Sequence, residues 1–307
     1  VQYSISIVSF LLILLSSMHE WWYILKPPVV PIIGAPDSLS IDIWEDVVKF
    51  CPRFLAPVLC LLPIAALACS GSEKPTYLAL GDSYAVGVGS SSHSSDYVSL
   101  FDSFLGQNKG ESISLRNFAV GGETTSSMIQ DGQFGMALAE LRFRNNDSNP
   151  NNDVFVITID IGGNDVLHLA FEGEPCAPPT TVTAPACQTD LDNALNAVQE
   201  NLTAILRSLR VAAGSKVDIL VLGNFNPYSG TGDPAEKTYD EIVPTLNNVF
   251  AAVASSPDIA ATFVPTLAAF EGKAPQLTDV NESPNDVHPN DDGYKVIADL
   301  LIAAYQK

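Results

Sequence analysis

Along much of the chain, short runs of apolar and β-branched residues alternate with longer stretches whose apolar positions recur at helical spacing. The short runs predict strands at Thr76–Leu80 (TYLAL), Ser112–Phe118, Val154–Ile161 (VFVITIDI), Val217–Leu222 (VDILVL) and Thr262–Val264. The third and fourth are nearly continuous apolar runs, as strands buried on both faces require. The longest helical pattern covers Leu191–Ala213, where Leu191, Leu195, Val198, Leu202, Ile205, Leu206 and Leu209 share one face and Gly214 supplies a stop. Two more helices are predicted near Tyr239–Ala254 and Asp292–Tyr305, the last with Val296, Ile297, Leu300 and Leu301 toward the core. Asn145–Asp153 and Phe225–Asp233 read as surface loops. This alternation predicts an α/β fold, a three-layer α/β/α sandwich around a flavodoxin-like parallel sheet of about five strands. One domain spanning residues 70–307 accounts for it.

Upstream of that domain the pattern changes. Phe54–Ala68 is apolar, preceded by Lys49 and Arg53 and followed by Cys69-Ser70-Gly71-Ser72. A basic flank, an apolar stretch of this length and a small-residue exit are the parts of a secretory signal, placed here at residues 49–69. Two processing readings are open. Ala66-Leu67-Ala68 suits cleavage by a signal peptidase, which frees the protein. Leu67-Ala68-Cys69 resembles a bacterial lipobox, which makes Cys69 the lipid-bearing first residue. The lipobox is favoured, because a cysteine followed by Ser-Gly-Ser looks like a tether. Residues 1–48 hold a further apolar run at 3–16, too short to span a bilayer with confidence, and their first Met is Met18. They are read as a non-native upstream extension, with translation starting near Val47 or Val48, or else as an N-terminal membrane anchor.

Composition narrows the class. The chain has 15 basic and 35 acidic residues, a net charge of −20. Residues 1–69 hold three of the basic and five of the acidic ones, so Ser70–Lys307 retains 12 against 30, or −18. Such a surface repels nucleic acid and anionic membranes, and leaves the membrane only an N-terminal lipid or signal anchor. Cys176 and Cys187 are the remaining cysteines of the body. In an oxidising compartment they are expected to staple the Pro-rich loop between them.

The candidate chemistry lies at the predicted strand ends. The first strand runs into Leu80-Gly81-Asp82-Ser83-Tyr84, a glycine turn that lifts a serine off the carboxyl edge of the sheet. The turn also leaves the serine amide free to donate to a developing oxyanion. Gly-Asp-Ser alone is an ordinary turn sequence. It has company, however: Asn117-Phe118-Ala119-Val120-Gly121-Gly122-Glu123 follows the second strand, and Ile161-Gly162-Gly163-Asn164-Asp165 follows the third. Asp286-Val287-His288-Pro289-Asn290 stands directly before the last helix.

These four ordered blocks, from Tyr77 to Tyr294, resemble the SGNH hydrolase family, which includes the GDSL lipases and esterases. The resemblance implies that Ser83 is a nucleophile and His288 its base. It also implies an oxyanion hole formed by the amides of Ser83 and Gly122 and the side-chain amide of Asn164. The chemistry is consistent. A serine hydroxyl needs an imidazole to take its proton, glycine at 122 allows close approach of the backbone, and an amide donates without titrating. The implied activity is hydrolysis of carboxylic esters, with small-molecule or lipid esters as substrates, no metal and no organic cofactor, by a monomeric exported enzyme.

One departure matters. The family places an Asp three residues before the His, and here that position is Asn285, followed by Asp286. Asp286 is favoured as the acid if the turn shifts by one residue. Asn285 accepting through its carbonyl, or a Ser–His dyad, are the other options. Asp82 is read as a cap of the turn, and Asp165 as a structural hydrogen-bond partner. The segment Leu167–Thr189, which holds both cysteines, is expected to shape the substrate pocket. An α/β-hydrolase would need Gly two residues after the serine, where Ala85 stands. A surface-anchored binding protein with a degraded hydrolase fold is the non-enzymatic alternative, motivated by Asn285.

Overall fold

The computed structural model describes residues 74–282 and 286–307. The upstream segment, Cys69 and Asn285 lie outside them, and so do the signal, lipidation and extension readings.

Five strands form the sheet: β1 (Thr76–Gly81), β2 (Ser114–Asn117), β3 (Val154–Asp160), β4 (Asp218–Leu222) and β5 (Thr262–Val264). Their order is β2-β1-β3-β4-β5, with every pair parallel. That is the flavodoxin-like order, in which the winding reverses between β1 and β3 and opens a crevice at their carboxyl ends. β1 is buried throughout and β3 nearly so, because helices cover both faces.

Strand side chains alternate between two cores. Leu78, Leu80, Ile157, Ile159, Ile219 and Val221 point to one face. There they meet α3 (Thr125–Gln130), α4 (Gln133–Asn145), α6 (Pro185–Ala213) and α7 (Ala235–Ala254). Tyr77, Ala79, Val156, Leu220 and Leu222 point to the other, against α2 (Tyr97–Lys109) and α10 (Asp291–Tyr305). The apolar stripe of α6 that the spacing predicts is buried as expected, each Leu or Ile contributing roughly 1.5–3 kcal/mol. Among the described residues, no helix is long and apolar enough to cross a membrane.

Several expectations need correction. The Pro-rich segment is not irregular to Thr189, because α6 begins at Pro185, where proline's missing N–H costs nothing in the first turn. Cys187 therefore sits in a helix, disulfide-bonded to Cys176, with both side chains buried. Phe225–Asp233 is not a surface loop at its start, since Phe225, Asn226, Tyr228 and Ser229 are buried. Phe225 stacks on Phe270 at 3.8 Å between centroids. Asn226 Nδ2 satisfies the turn by donating to Asp240 Oδ1 (2.7 Å) and to the Glu236 carbonyl (2.9 Å). Asn145–Asp153 likewise hides Asn152 and ties Asn145 to both backbone polar groups of Val154.

Candidate active site

Gly81 ends β1 at φ 145°, and a Cβ there would stand 1.8 Å from Asp160 Oδ1 and 2.4 Å from the Asp160 carbonyl oxygen. Only glycine lets the chain pass so close to the end of β3. The next residue, Asp82, caps the short helix α1 (Ser83–Val86), its Oδ1 accepting from Tyr84 N at 3.1 Å. Ser83 is thus the first residue of a helix started at the switch point, as a turn that presents a hydroxyl requires.

His288 reaches it from the opposite end of the chain. Its Nε2 lies 2.9 Å from Ser83 Oγ, and its Nδ1 lies 2.6 Å from Asp286 Oδ1. The same Asp286 oxygen accepts from the His288 backbone N at 3.1 Å, so one carboxylate fixes both the loop and the ring. A proton on Nδ1 satisfies Asp286 and leaves Nε2 as an acceptor toward Ser83. The loop is held from behind. Asp279 N donates to the His288 carbonyl at 3.0 Å, and the Tyr84 hydroxyl donates to the Val287 carbonyl at 3.3 Å. Gly89 packs against it, where a Cβ would come within 3.1 Å of His288 Cβ.

The three expected amide donors line the same cavity as the serine and the imidazole. Among the described residues, the backbone amides of Ser83 and Gly122 have no hydrogen-bond partner within the protein. Gly122 adopts φ 78° with open space where a Cβ would stand, so a ligand can approach its backbone closely. Asn164 lies in α5 (Gly163–Leu167), which starts directly after β3. Its Nδ2 donates to the Glu123 carbonyl at 2.9 Å and to Asp82 Oδ2 at 3.2 Å. The amide is therefore oriented by two protein acceptors, the longer contact being to Asp82.

Asp82 and Asp165 have the structural roles read from the sequence. Asp165 accepts from Thr125 N at 2.9 Å and from the Thr125 hydroxyl at 2.7 Å, binding the second and third blocks together. Burial raises the carboxyls of both: Asp165 upward, and Asp82 from 3.8 to about 6. Asp160, at the end of β3, is raised further by burial and by the facing Asp82. The sequence analysis passed over Asp160. Its signal was an acid inside an otherwise apolar strand.

The cavity holds about 360 Å³, within the range of small-molecule sites. Its polar end is the Ser83–His288–Asn164 edge. The rest is apolar, with Val166 and Leu167 from α5, Phe225 after β4, and Tyr239, Val243 and Leu246 on one face of α7. The Tyr239 hydroxyl is used up inside the protein, donating to the Leu167 carbonyl at 2.6 Å. Of the segment Leu167–Thr189, Leu167 alone lines the cavity. The disulfide folds the remainder against the core beside α6, so α7 shapes the pocket instead. Among the described residues, no group of three or more His, Cys, Asp or Glu side chains is arranged to hold a metal ion.

A flavodoxin-like sheet with a serine, an imidazole and free amides at its switch point defines a hydrolase. The chain belongs to the GDSL-like Lipase/Acylhydrolase family, whose model matches residues 79–296, and it is an ester-hydrolysing enzyme. It is 24% identical over 233 residues to the spore germination lipase LipC of Bacillus licheniformis, covering 74% of this chain and 95% of that protein. The fold is shared with the lipase Lip_vut3 from a goat rumen metagenome, at a TM-score of 0.59 and 23% identity over 75% of this chain and 97% of that one. It is shared also with phospholipase A1 from Streptomyces albidoflavus, at a TM-score of 0.53 and 19% identity over 75% and 99% of the two chains.

Proposed function

We propose that the protein is an exported serine esterase that cleaves carboxylic esters of short to medium acyl chains through an acyl-serine intermediate. The observation that carries this reading is the 2.9 Å contact from His288 Nε2 to Ser83 Oγ, with Asp286 behind the ring at 2.6 Å. In this mechanism Ser83 Oγ attacks the ester carbonyl carbon as its proton passes to His288 Nε2. Asp286 stabilises the resulting imidazolium. The carbonyl oxygen, now negative, accepts from the amides of Ser83 and Gly122 and from Asn164 Nδ2, each such donor being worth about 2.7–4 kcal/mol of barrier. His288 then gives its proton to the departing alcohol oxygen. Water repeats the sequence on the acyl-enzyme, releasing the acid and restoring Ser83.

The apolar wall supports acyl chains as the group bound in the cavity, since its lining offers few partners to a sugar or a charged headgroup. The carboxylate next to His288 removes the motive for a non-catalytic reading. Export rests on the pattern of residues 49–69 and on the paired cysteines, and the protein is proposed to act as a monomer, free or tethered through Cys69.

Hydrolysis of p-nitrophenyl acetate by the wild type, abolished in Ser83→Ala, is the expected result; equal rates in the two would refute the mechanism. A panel of esters of increasing acyl length should peak at short or medium chains, and a clear preference for long-chain triacylglycerols would overturn the substrate assignment. Mass spectrometry of the mature N-terminus decides the export reading: a lipid-modified Cys69 or a start near Ser70 supports it, and retention of Trp44 or earlier residues counts against it.

A further inference from the structure

Two acids face each other behind the candidate nucleophile. Asp82 is 6% exposed and Asp160 5%, and their carboxyl groups lie within hydrogen-bonding reach. The ionisable groups around the pair are Tyr77 and Tyr84 beside β1, Asp96 and Tyr97 from α2, Asp165 from α5, Tyr294 from α10, and His288. No lysine or arginine is among them, so no permanent cation balances two negative charges there. Like carboxylates in contact, buried and without a cation, retain a proton between them.

The contacts say where that proton resides. Asp82 is fully engaged as an acceptor, Oδ1 from Tyr84 N and Oδ2 from Asn164 Nδ2. Asp160 is the deeper partner, with Oδ1 accepting from the Tyr97 hydroxyl at 2.8 Å and Oδ2 from Ala85 N at 3.2 Å. A neutral Asp160 has one O–H to donate, and the facing Asp82 is its acceptor.

We propose that Asp160 is a positioning residue for ester hydrolysis: in its neutral form it donates to Asp82, which in turn holds the Asn164 amide at the oxyanion site. This rests on the proposed function for the role of Asn164. The donated bond has two effects. It locks the Asp82 carboxylate in the orientation that accepts from Asn164, and it limits the pair to a single negative charge. A second charge two contacts from the oxyanion would oppose its formation, and the buried setting would strengthen that repulsion. Burial raises both acids, in keeping with a shared proton, and Asp82 ionises at about pH 6. Asp160 touches no substrate and acts through Asp82.

The test compares wild type, Asp160→Leu and Asp160→Asn on p-nitrophenyl butyrate across pH 4–9. Leucine keeps the size and removes the donor. It should lower kcat about 10- to 100-fold with KM within about threefold, less than the loss of a whole oxyanion donor. It should also move the acid limb of kcat to higher pH, because Asp82 loses a hydrogen bond that favours its ionised form. Asparagine can donate to Asp82 without a proton to lose. It should restore kcat to within about threefold of wild type and leave the acid limb in place. An Asp160→Leu enzyme with wild-type kcat and acid limb overturns the proposal, as does an Asp160→Asn enzyme as impaired as the leucine variant. If the leucine variant does not fold, Asp160→Asn decides alone: activity within about threefold supports the proposal and a loss beyond about tenfold overturns it. Failure of the underlying reading is a separate result, namely wild-type turnover that does not depend on Ser83.

Discussion

Ser83 Oγ and His288 Nε2 stand 2.9 Å apart although 205 positions separate them in the chain. The contact exists because β1 and the loop before α10 both finish at the carboxyl edge of the sheet. If it serves proton transfer, Ser83→Ala and His288→Gln should each cut kcat by about 10⁴-fold or more with little change in fold. Steady-state kinetics on a p-nitrophenyl ester, with circular dichroism as the control, checks this. The double variant should be no worse than the worse single one, since the two groups act as a unit.

Asp286 acts on the ring and on the backbone of His288 through the same oxygen. Asp286→Asn should place an NH₂ or a neutral oxygen against Nδ1 and weaken the preferred tautomer. A fall in kcat of about 10²- to 10⁴-fold is expected, with KM nearly constant. Because the Asp286 side chain is about one-third exposed, the effect should lie toward the lower end of that range.

The apolar side of the cavity makes a prediction about chain length. Val243 lies between Tyr239 and Leu246 on the face of α7 that lines the pocket. Val243→Phe should fill the space used by the outer methylenes of a medium acyl chain. Each methylene excluded should cost about 1–3 kcal/mol in kcat/KM, leaving acetate esters nearly unaffected. Relative kcat/KM for acetate, butyrate and octanoate esters reads the shift directly. Equal losses on all three would place the acyl chain elsewhere.

The buried acid pair links stability to pH. Both folded-state carboxyls are raised, Asp82 from 3.8 to about 6 and Asp160 upward from 3.8. The folded protein therefore holds protons that the unfolded chain releases above about pH 4. The stabilising contribution is complete below that pH and declines as pH rises, for Asp82 through about 6 and for Asp160 beyond it. Asp160→Asn removes the proton-dependent part, so its Tm relative to wild type should climb between pH 4 and 8. A difference in Tm independent of pH would contradict the shared proton.

Much of the fold was legible because its signals are local. The strand Val154–Asp160 and the stripe Leu191–Leu209 announce themselves by the period of their apolar residues, and both are found within one or two residues of the predicted stripe. The early start of α6 was hidden because Pro185 looks like a breaker, although at the first turn it is a starter. The helices Tyr97–Lys109 and Gln133–Asn145 were not predicted; their mixed faces, with Ser, Gln and Arg among the apolar positions, blur the period. Phe225–Ser229 was misread as surface because Asn, Pro, Ser and Gly also occur in buried turns when, as at Asn226, a side chain satisfies the backbone.

The site divides in the same way. Its blocks could be read from the residues alone, because a glycine turn before Ser83 and an amide at Asn164 are properties of short segments. Sequence by itself thus determined the element types, the parallel α/β class and the family. Tertiary structure decided which carboxylate faces His288, that Asp160 lies against Asp82, and that α7 rather than the cysteine-bearing segment walls the cavity. The physical reason is range. Periodicity and turn chemistry act over a few residues, whereas hydrogen bonds between strand ends and the shape of a cavity depend on distances set by the packing of the whole sheet.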